Sequence, residues 1–264
     1  GVVHMAYYDE TNDDLRYARW QNGVLQKQLV ATAGDMGYDS AITFDGVGKP
    51  VIAYYGESGG HHVYVATRGT SSWSSTLIHT QTSKISGNLE IQRDSGGDYH
   101  VLFGFGQSIY MRGKGSTWAA QTLPTGSKAG RALAIMPGGE LRYAYSNSQK
   151  VYIRSMTAGA SLGDEYIGKA TTYYPVAFLD RYWPASLVTG NFAEYYKTDL
   201  GLWDRAYRFN VVQNSKFYDA RVGADKRARV AMRVGYGPTW GVLTEPVCTP
   251  QCGPGSCGSD GCGG

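Results

Sequence analysis

The groups in this 264-residue chain able to move a proton or hold a charged ligand are few, and they recur at comparable places along it. Asp39, Asn88, Gly130 and Tyr174 fall at equivalent positions of an internal repeat. Glu90 and Arg131 lie just beside them, and Asp219 and Arg221 occupy the matching stretch of a later copy. Brought to one funnel, these residues make a sugar-binding set. A forked Arg holds a carboxylate or sulfate, and Tyr174 or Glu90 moves a proton. His61 and His62 supply the imidazoles. A Tyr/His pair abstracts an α-proton and protonates a leaving oxygen in lyase chemistry, with Arg neutralising the uronate.

Each of these residues also has a plain structural use. Asp and Asn suit turns, and charged ladder-edge pairs face solvent without binding anything. His61-His62 falls in the turn entering a strand, and no spacing sets either histidine beside a particular Tyr. His79 lies at the end of a strand. His4 and His100 share the repeat position that Val51 fills, which marks them as repeat residues. The chain has no His-Glu-x-x-His, no Asp-rich calcium loop, no Gly-x-x-x-x-Gly-Lys and no Gly-x-Ser-x-Gly, so no metal and no cofactor is expected.

The elements that must carry these side chains follow from the repeat. The aromatics Tyr17, Tyr64, Tyr110, Tyr152, Tyr195 and Trp240 lie 47, 46, 42, 43 and 45 residues apart. Each unit holds short apolar or alternating runs, such as Pro50-Val51-Ile52-Ala53-Tyr54-Tyr55, separated by Gly, Asn, Asp and Ser turns. In the second unit these runs predict four strands, at 40–44, 50–55, 63–67 and 75–79. Four antiparallel strands in about 45 residues is the pattern of a propeller blade, and no 3.6-residue apolar period competes with it. The expected fold is therefore an all-β propeller of about six four-stranded blades over residues 1–246, followed by an irregular Cys-rich tail at 247–264. The first unit enters at its second strand and the sixth lacks its fourth. Either the ring closes around an unusual seam or upstream residues supply the missing strands, and the second is the expectation. Trp20, Trp73, Trp118 and Trp203 are expected between blades. A basic residue follows the repeat aromatic by two at Arg19, Arg112, Arg154 and Lys197, with Arg68 in the second unit. Each is expected to lay its stem on a Tyr and meet a carboxylate.

Composition narrows the partners. With 25 Lys+Arg against 22 Asp+Glu the net charge is +3, too small for a phosphate-tracking surface, so no nucleic acid is expected. No apolar run reaches the roughly 18 residues of a membrane span. All four cysteines, Cys248, Cys252, Cys257 and Cys262, sit in the tail. A Gly/Pro/Cys-dense segment without a core is most simply held by disulfides in an oxidising compartment, with a zinc site as the rival. Four cysteines allow three pairings.

Two runs, Ala6-Tyr7-Tyr8-Asp9-Glu10-Thr11-Asn12-Asp13-Asp14-Leu15-Arg16-Tyr17-Ala18 and Asp45-Gly46-Val47-Gly48-Lys49-Pro50-Val51-Ile52-Ala53-Tyr54-Tyr55, resemble repeats of sialidase-like bacterial secreted propellers. The resemblance covers about residues 1–245 and implies that fold. It leaves activity open, because the family mixes glycosidases, lyases and lectins. The sialidase turn Ser-x-Asp-x-Gly-x-x-Trp survives only as Gly69-Thr70-Ser71-Ser72-Trp73 and Gly113-Lys114-Gly115-Ser116-Thr117-Trp118, without its Asp, and the Arg-Ile-Pro segment is missing. Both departures argue against sialic acid hydrolysis. The tail run 257–264 resembles Cys/Gly-rich modules of bacterial surface proteins. The expected function is recognition of a glycan or cell-surface polymer by a secreted or surface module, with no committed catalysis. The alternatives are a lyase on acidic polysaccharide and a structural adhesion scaffold. Oligomeric state is not read from the sequence.

Overall fold

The structure is a computed structural model. It describes residues 2–169 except 83, 85–88, 105–107, 124–128, 137–138, 148–149 and 158–159, and beyond them the strands alone. Side chains are described nearly throughout to residue 123 and for parts of 132–167.

Every element among the described residues is a strand. β1 (Val2–Asp9), β2 (Asp14–Gln21) and β3 (Val24–Ala31) form a three-stranded sheet in chain order. Four-stranded sheets follow. The first contains β4 (Asp35–Phe44), β5 (Pro50–Glu57), β6 (His61–Arg68) and β7 (Trp73–Gln81), and the next β8 (Glu90–Arg93), β9 (Tyr99–Phe103), β10 (Ile109–Lys114) and β11 (Thr117–Thr122). Then come β12 (Ala129–Ile135), β13 (Leu141–Asn147), β14 (Lys150–Thr157) and β15 (Ala160–Lys169). β16 (Ala177–Leu179), β17 (Ser186–Val188), β18 (Ala193–Lys197) and β19 (Trp203–Arg208) make the last four-stranded sheet. A three-stranded sheet follows, of β20 (Lys216–Val222), β21 (Ala228–Arg233) and β22 (Trp240–Thr244). The short ladder β23 (Cys252–Gly253) and β24 (Ser256–Cys257) sets Cys252 opposite Cys257. The chain divides into two compact units, residues 1–141 and 142–264.

The four strands expected in the second unit are all present and longer than their apolar runs. The polar ends extend the ladders, with Glu57 opposite His61 and His61 opposite Gln81. His61 and His62 are therefore strand residues, and His79 lies inside β7, two residues before its end. Tyr64 also departs from the repeat alignment. Tyr17 sits opposite Ala6, whereas Val65 sits opposite the equivalent Ala53, so Tyr64 takes the slot that Arg16 fills. Because side chains alternate, that single step turns Tyr64 to the opposite face of its sheet.

β5 shows why the sheets must stand side by side. Its residues 50–56 are all buried. Val51, Ala53 and Tyr55 join one core with Ile91, Val101 and Phe103 of the following sheet. Ile52 and Tyr54 join another with Leu15 and Tyr17 of the preceding one. Alternate residues of one strand thus feed two cores, and each fully buried Ile or Tyr contributes on the order of 1.5–3 kcal/mol. In the first unit β1 lies against β4, β4 against β8, and β8 against β12; in the second, β16 lies against β20. Within each unit the opening strands of these sheets are neighbours.

A repeated turn joins the first two strands of a sheet. The Asp45 carboxylate accepts the N–H groups of Val47 at 2.9 Å and Lys49 at 2.8 Å, and Gly48 takes φ +81. Asp94 does the same for the Asp98 N–H at 2.9 Å, with Gly97 at φ +91. The Asp caps the turn and the Gly supplies the left-handed residue.

Candidate binding edge at the start of β4

The edge of the second sheet where β4 begins carries a row of polar residues across all four strands. Asp35 pairs with Glu57, Glu57 with His61, and His61 with Gln81. Directly opposed residues of antiparallel strands point to the same face, so the row presents one carboxylate, a second carboxylate, an imidazole and an amide together. The turn Ser58-Gly59-Gly60, with Gly59 at φ +70, closes the hairpin tightly enough to set Glu57 against His61.

Tyr55 stands two residues before Glu57 on the same face, fully buried. Its hydroxyl donates to Glu57 Oε1 at 2.8 Å and also meets His61 Nδ1. With the phenol O–H directed at Glu57 Oε1, the phenol oxygen accepts from the His61 Nδ1–H. Lys84 Nζ reaches Glu57 Oε1 at 3.2 Å, and His61 Nδ1 lies 3.7 Å from the same oxygen. The Tyr55 hydrogen bond, followed by Lys84 and His61, holds the Glu57 carboxyl below its usual range despite partial burial. Glu57 in turn raises Lys84. This group is an ionised carboxylate at neutral pH.

Aromatic rings flank it. Lys84 Nζ sits 4.6 Å from the centre of the Tyr38 ring, and Tyr38 meets Tyr8 edge-on at 6.0 Å. Tyr38 is 55% exposed. The Tyr8 hydroxyl donates to Asp13 Oδ1 at 2.6 Å, and this bond, with partial burial and the Asp35 carboxylate, raises the phenol well above its ordinary value. Asp35 Oδ1 is buried without a geometric hydrogen-bond donor among the described residues, although the Tyr8 hydroxyl lies against the same carboxylate. An acceptor so placed is suited to a ligand hydroxyl.

Of the candidate site residues read from the sequence, His61 alone falls in this described cluster. His62 points to the other face, with Nδ1 3.1 Å from Thr80 Oγ1 and Nε2 3.3 Å from the Ser58 carbonyl. Asp39 lies in the register shift between Met36 and Ser40, four residues past the true start of β4. Glu90 sits opposite Leu102, as Ala41 sits opposite Ala53, so its repeat alignment holds. Asn88 and Tyr174 lie outside the described residues. Arg131, Asp219 and Arg221 are on strands β12 and β20, Asp219 opposite Ala231 and Arg221 opposite Arg229, and their side chains lie outside the description. The sequence reading missed Asp35, Tyr38, Tyr55, Glu57 and Lys84. The spacing Tyr55-x-Glu57, followed by a Gly-Gly turn and His61, was the available signal.

His4, His100, Arg112 and Arg154 fasten the fold. His4 Nδ1 lies 2.6 Å from the Tyr17 hydroxyl and His100 Nδ1 2.7 Å from that of Tyr110, one repeated fastening. His100 Nε2 also meets Asp94 Oδ2 at 3.1 Å. Arg112 pairs with Asp94 and Asp98, and Arg154 pairs with Asp164 through two bonds of 2.6 and 2.5 Å while lying 5.9 Å from the Tyr143 and Tyr145 rings. Trp73 and Trp118 pack against the cores, whereas Trp20 is 44% exposed on β2, contrary to its expected place between blades. No helix among the described residues is long and apolar enough to cross a membrane.

No family model and no curated protein sequence matches the chain. Solved structures do. An α-L-arabinanase of Penicillium chrysogenum complexed with arabinobiose superposes with a TM-score of 0.65 at 10% identity, covering 92% of this chain and 90% of that one. The NanB sialidase of Streptococcus pneumoniae gives 0.63 at 8% identity over 89% and 63%. The Aleuria aurantia lectin in complex with Fucα1-6GlcNAc gives 0.59 at 13% identity over 95% and 94%. The fold is a β-propeller. Its neighbours include lectins and glycosidases, and at these identities the likeness extends to the fold alone.

Proposed function

We propose that this chain is an extracytoplasmic, sialidase-like propeller module that binds a glycan at the edge where β4 begins. The observation that carries the reading is the ladder row Asp35, Glu57, His61 and Gln81 beside the exposed Tyr38 ring. Sugars present alternating hydroxyl donors and acceptors around an apolar ring face. A carboxylate fixed by Tyr55 and Lys84, a buried acceptor on Asp35 and a half-exposed tyrosine match that chemistry. Glycan-binding neighbours of the same fold support it. The Cys-rich tail supports a secreted or cell-surface location.

A glycan array followed by calorimetry tests the proposal. The full chain is expected to bind at least one saccharide class without turnover. Tyr38→Ala and Glu57→Gln should each weaken binding by about ten-fold or more, the scale of one stacking contact or one charge-assisted hydrogen bond. Array binding unchanged by both variants would remove the site.

The Tyr55–His61 contact favours a second reading, a lyase on acidic polysaccharide. Burial of Tyr55 and donation of its proton to Glu57 count against a phenol that must reach substrate. A lyase would release ultraviolet-absorbing unsaturated ends from uronic polymers, and their absence across such a panel would leave binding alone.

A further inference from the structure

A groove of about 500 Å³ runs between β3 and the β6–β7 hairpin, away from the row described above. Its polar lining comes from Gln28, Thr32, Arg68, Ser71, Ser72 and Trp73. Arg68 ends β6 opposite Trp73, donates to the Ser72 carbonyl at 3.1 Å, and has its guanidinium carbon 5.8 Å from the Trp73 ring centre. The same indole meets Tyr17, with ring centres 5.3 Å apart. Trp73 Nε1 donates to Gln28 Oε1 at 3.0 Å across the two sheets. An indole N–H only donates, so the Gln28 oxygen faces the indole and its NH₂ group is left for the groove.

Of the arginines that follow the repeat aromatic, Arg112 and Arg154 each form an ion pair with an aspartate, whereas Arg19 meets Gln21. Arg68 has no carboxylate partner among the described residues, and no acidic residue lines the groove. At the matching place in the third sheet Gly113 stands opposite Trp118, whose indole donates to its own turn at Gly115. Neither the cation nor the cross-sheet bond is repeated there.

We infer that the β3/β6–β7 groove is a second ligand site, selective for an acidic saccharide whose carboxylate or sulfate sits on Arg68. The guanidinium, with one N–H spent on Ser72, retains donors for a bidentate anion contact. The Gln28 NH₂ and the Ser71 and Ser72 hydroxyls take the sugar hydroxyls. The volume suits one or two sugar rings. The site does not depend on the β4 edge, since the two share no residue.

The test titrates the full chain with three oligosaccharides of equal length: a uronate, a sulfated galactose oligomer and its neutral counterpart. At least one acidic oligomer is expected to bind about ten-fold or more tightly than the neutral one, and more weakly as salt rises. Stronger binding by the uronate or by the sulfated oligomer identifies the anion preferred. Arg68→Gln should erase the preference, whereas Tyr38→Ala should leave it intact. Loss with Tyr38→Ala alone would assign the acidic ligand to the β4 edge and overturn the inference. Equal affinity for all three oligomers, or no binding by any, would also overturn it. Should Arg68→Gln fold poorly, the indole N–H resonances of the wild-type chain decide. A shift at Trp73 on adding the acidic oligomer supports the groove, and an unmoved Trp73 resonance refutes it.

Discussion

The link from Tyr55 to Glu57 can be measured by a double-mutant cycle. Tyr55→Phe removes a hydroxyl on a fully buried ring that donates to Glu57 Oε1 at 2.8 Å. A hydrogen bond to a charged group contributes about 1.5–3 kcal/mol when both partners are dry. The Glu57 side chain is 31% exposed and keeps Lys84 at 3.2 Å, so solvent and the ammonium absorb part of that loss. The expected cost of Tyr55→Phe is therefore about 1–1.5 kcal/mol, with a coupling to Glu57→Gln of about 1 kcal/mol. Urea unfolding, followed by fluorescence and far-ultraviolet circular dichroism, measures all four corners of the cycle. The coupling has a defined pH dependence. The folded Glu57 titrates below its ordinary 4.5, so its contribution is fully present above pH 4.5 and is lost as pH falls through the folded value. Coupling within about 0.3 kcal/mol of zero at pH 7 would refute the charged hydrogen bond. So would a coupling that survives unchanged once Glu57 is protonated.

Other expectations follow from the same contacts. Asp164→Asn breaks the doubly bonded pair with Arg154, which is buried beside two stacked tyrosines, and should cost about 2–3 kcal/mol in urea unfolding, less than a fully dry pair because Asp164 is about one-third exposed. Burial depresses His4, His79 and His100, so their unfolded forms take up protons first. Calorimetry should find the melting temperature falling from pH 7 to 5, and a rise would contradict their buried, neutral state. Gly37→Ala meets Leu15 Cβ at 2.7 Å at φ +89 and should destabilise by more than about 2 kcal/mol. Gly48→Ala, at φ +81 with no atom within 4 Å, should cost only the backbone strain of about 1 kcal/mol, and equal thermal shifts would refute the distinction. If the tail is disulfide-bonded, intact mass under oxidising conditions will rise on reduction by about 2 Da per bridge, whereas a chelator-sensitive mass would indicate zinc.

The sequence by itself determined the strands and their repetition, because both are local properties. An apolar run such as 50–55 has one period, and an Asp followed three residues later by Gly closes one kind of turn wherever it occurs. The period of about 45 residues carried the rest of the architecture, since an identical unit buried on both faces has to stack on copies of itself. It also fixed Glu90 opposite its partner, and it identified His4 and His100 as one structural position. Register and reach were decided only in three dimensions. The shift between Met36 and Ser40 moves the start of β4 back to Asp35, so Asp39 does not begin the strand. Ladder pairing, a relation between distant residues, sets Glu57 between Asp35 and His61. Lys84 joins by the length of its side chain, and Gln28 meets Trp73 across 45 residues of chain and two sheets. One-dimensional spacing counts residues along a strand, whereas a binding edge is assembled across strands.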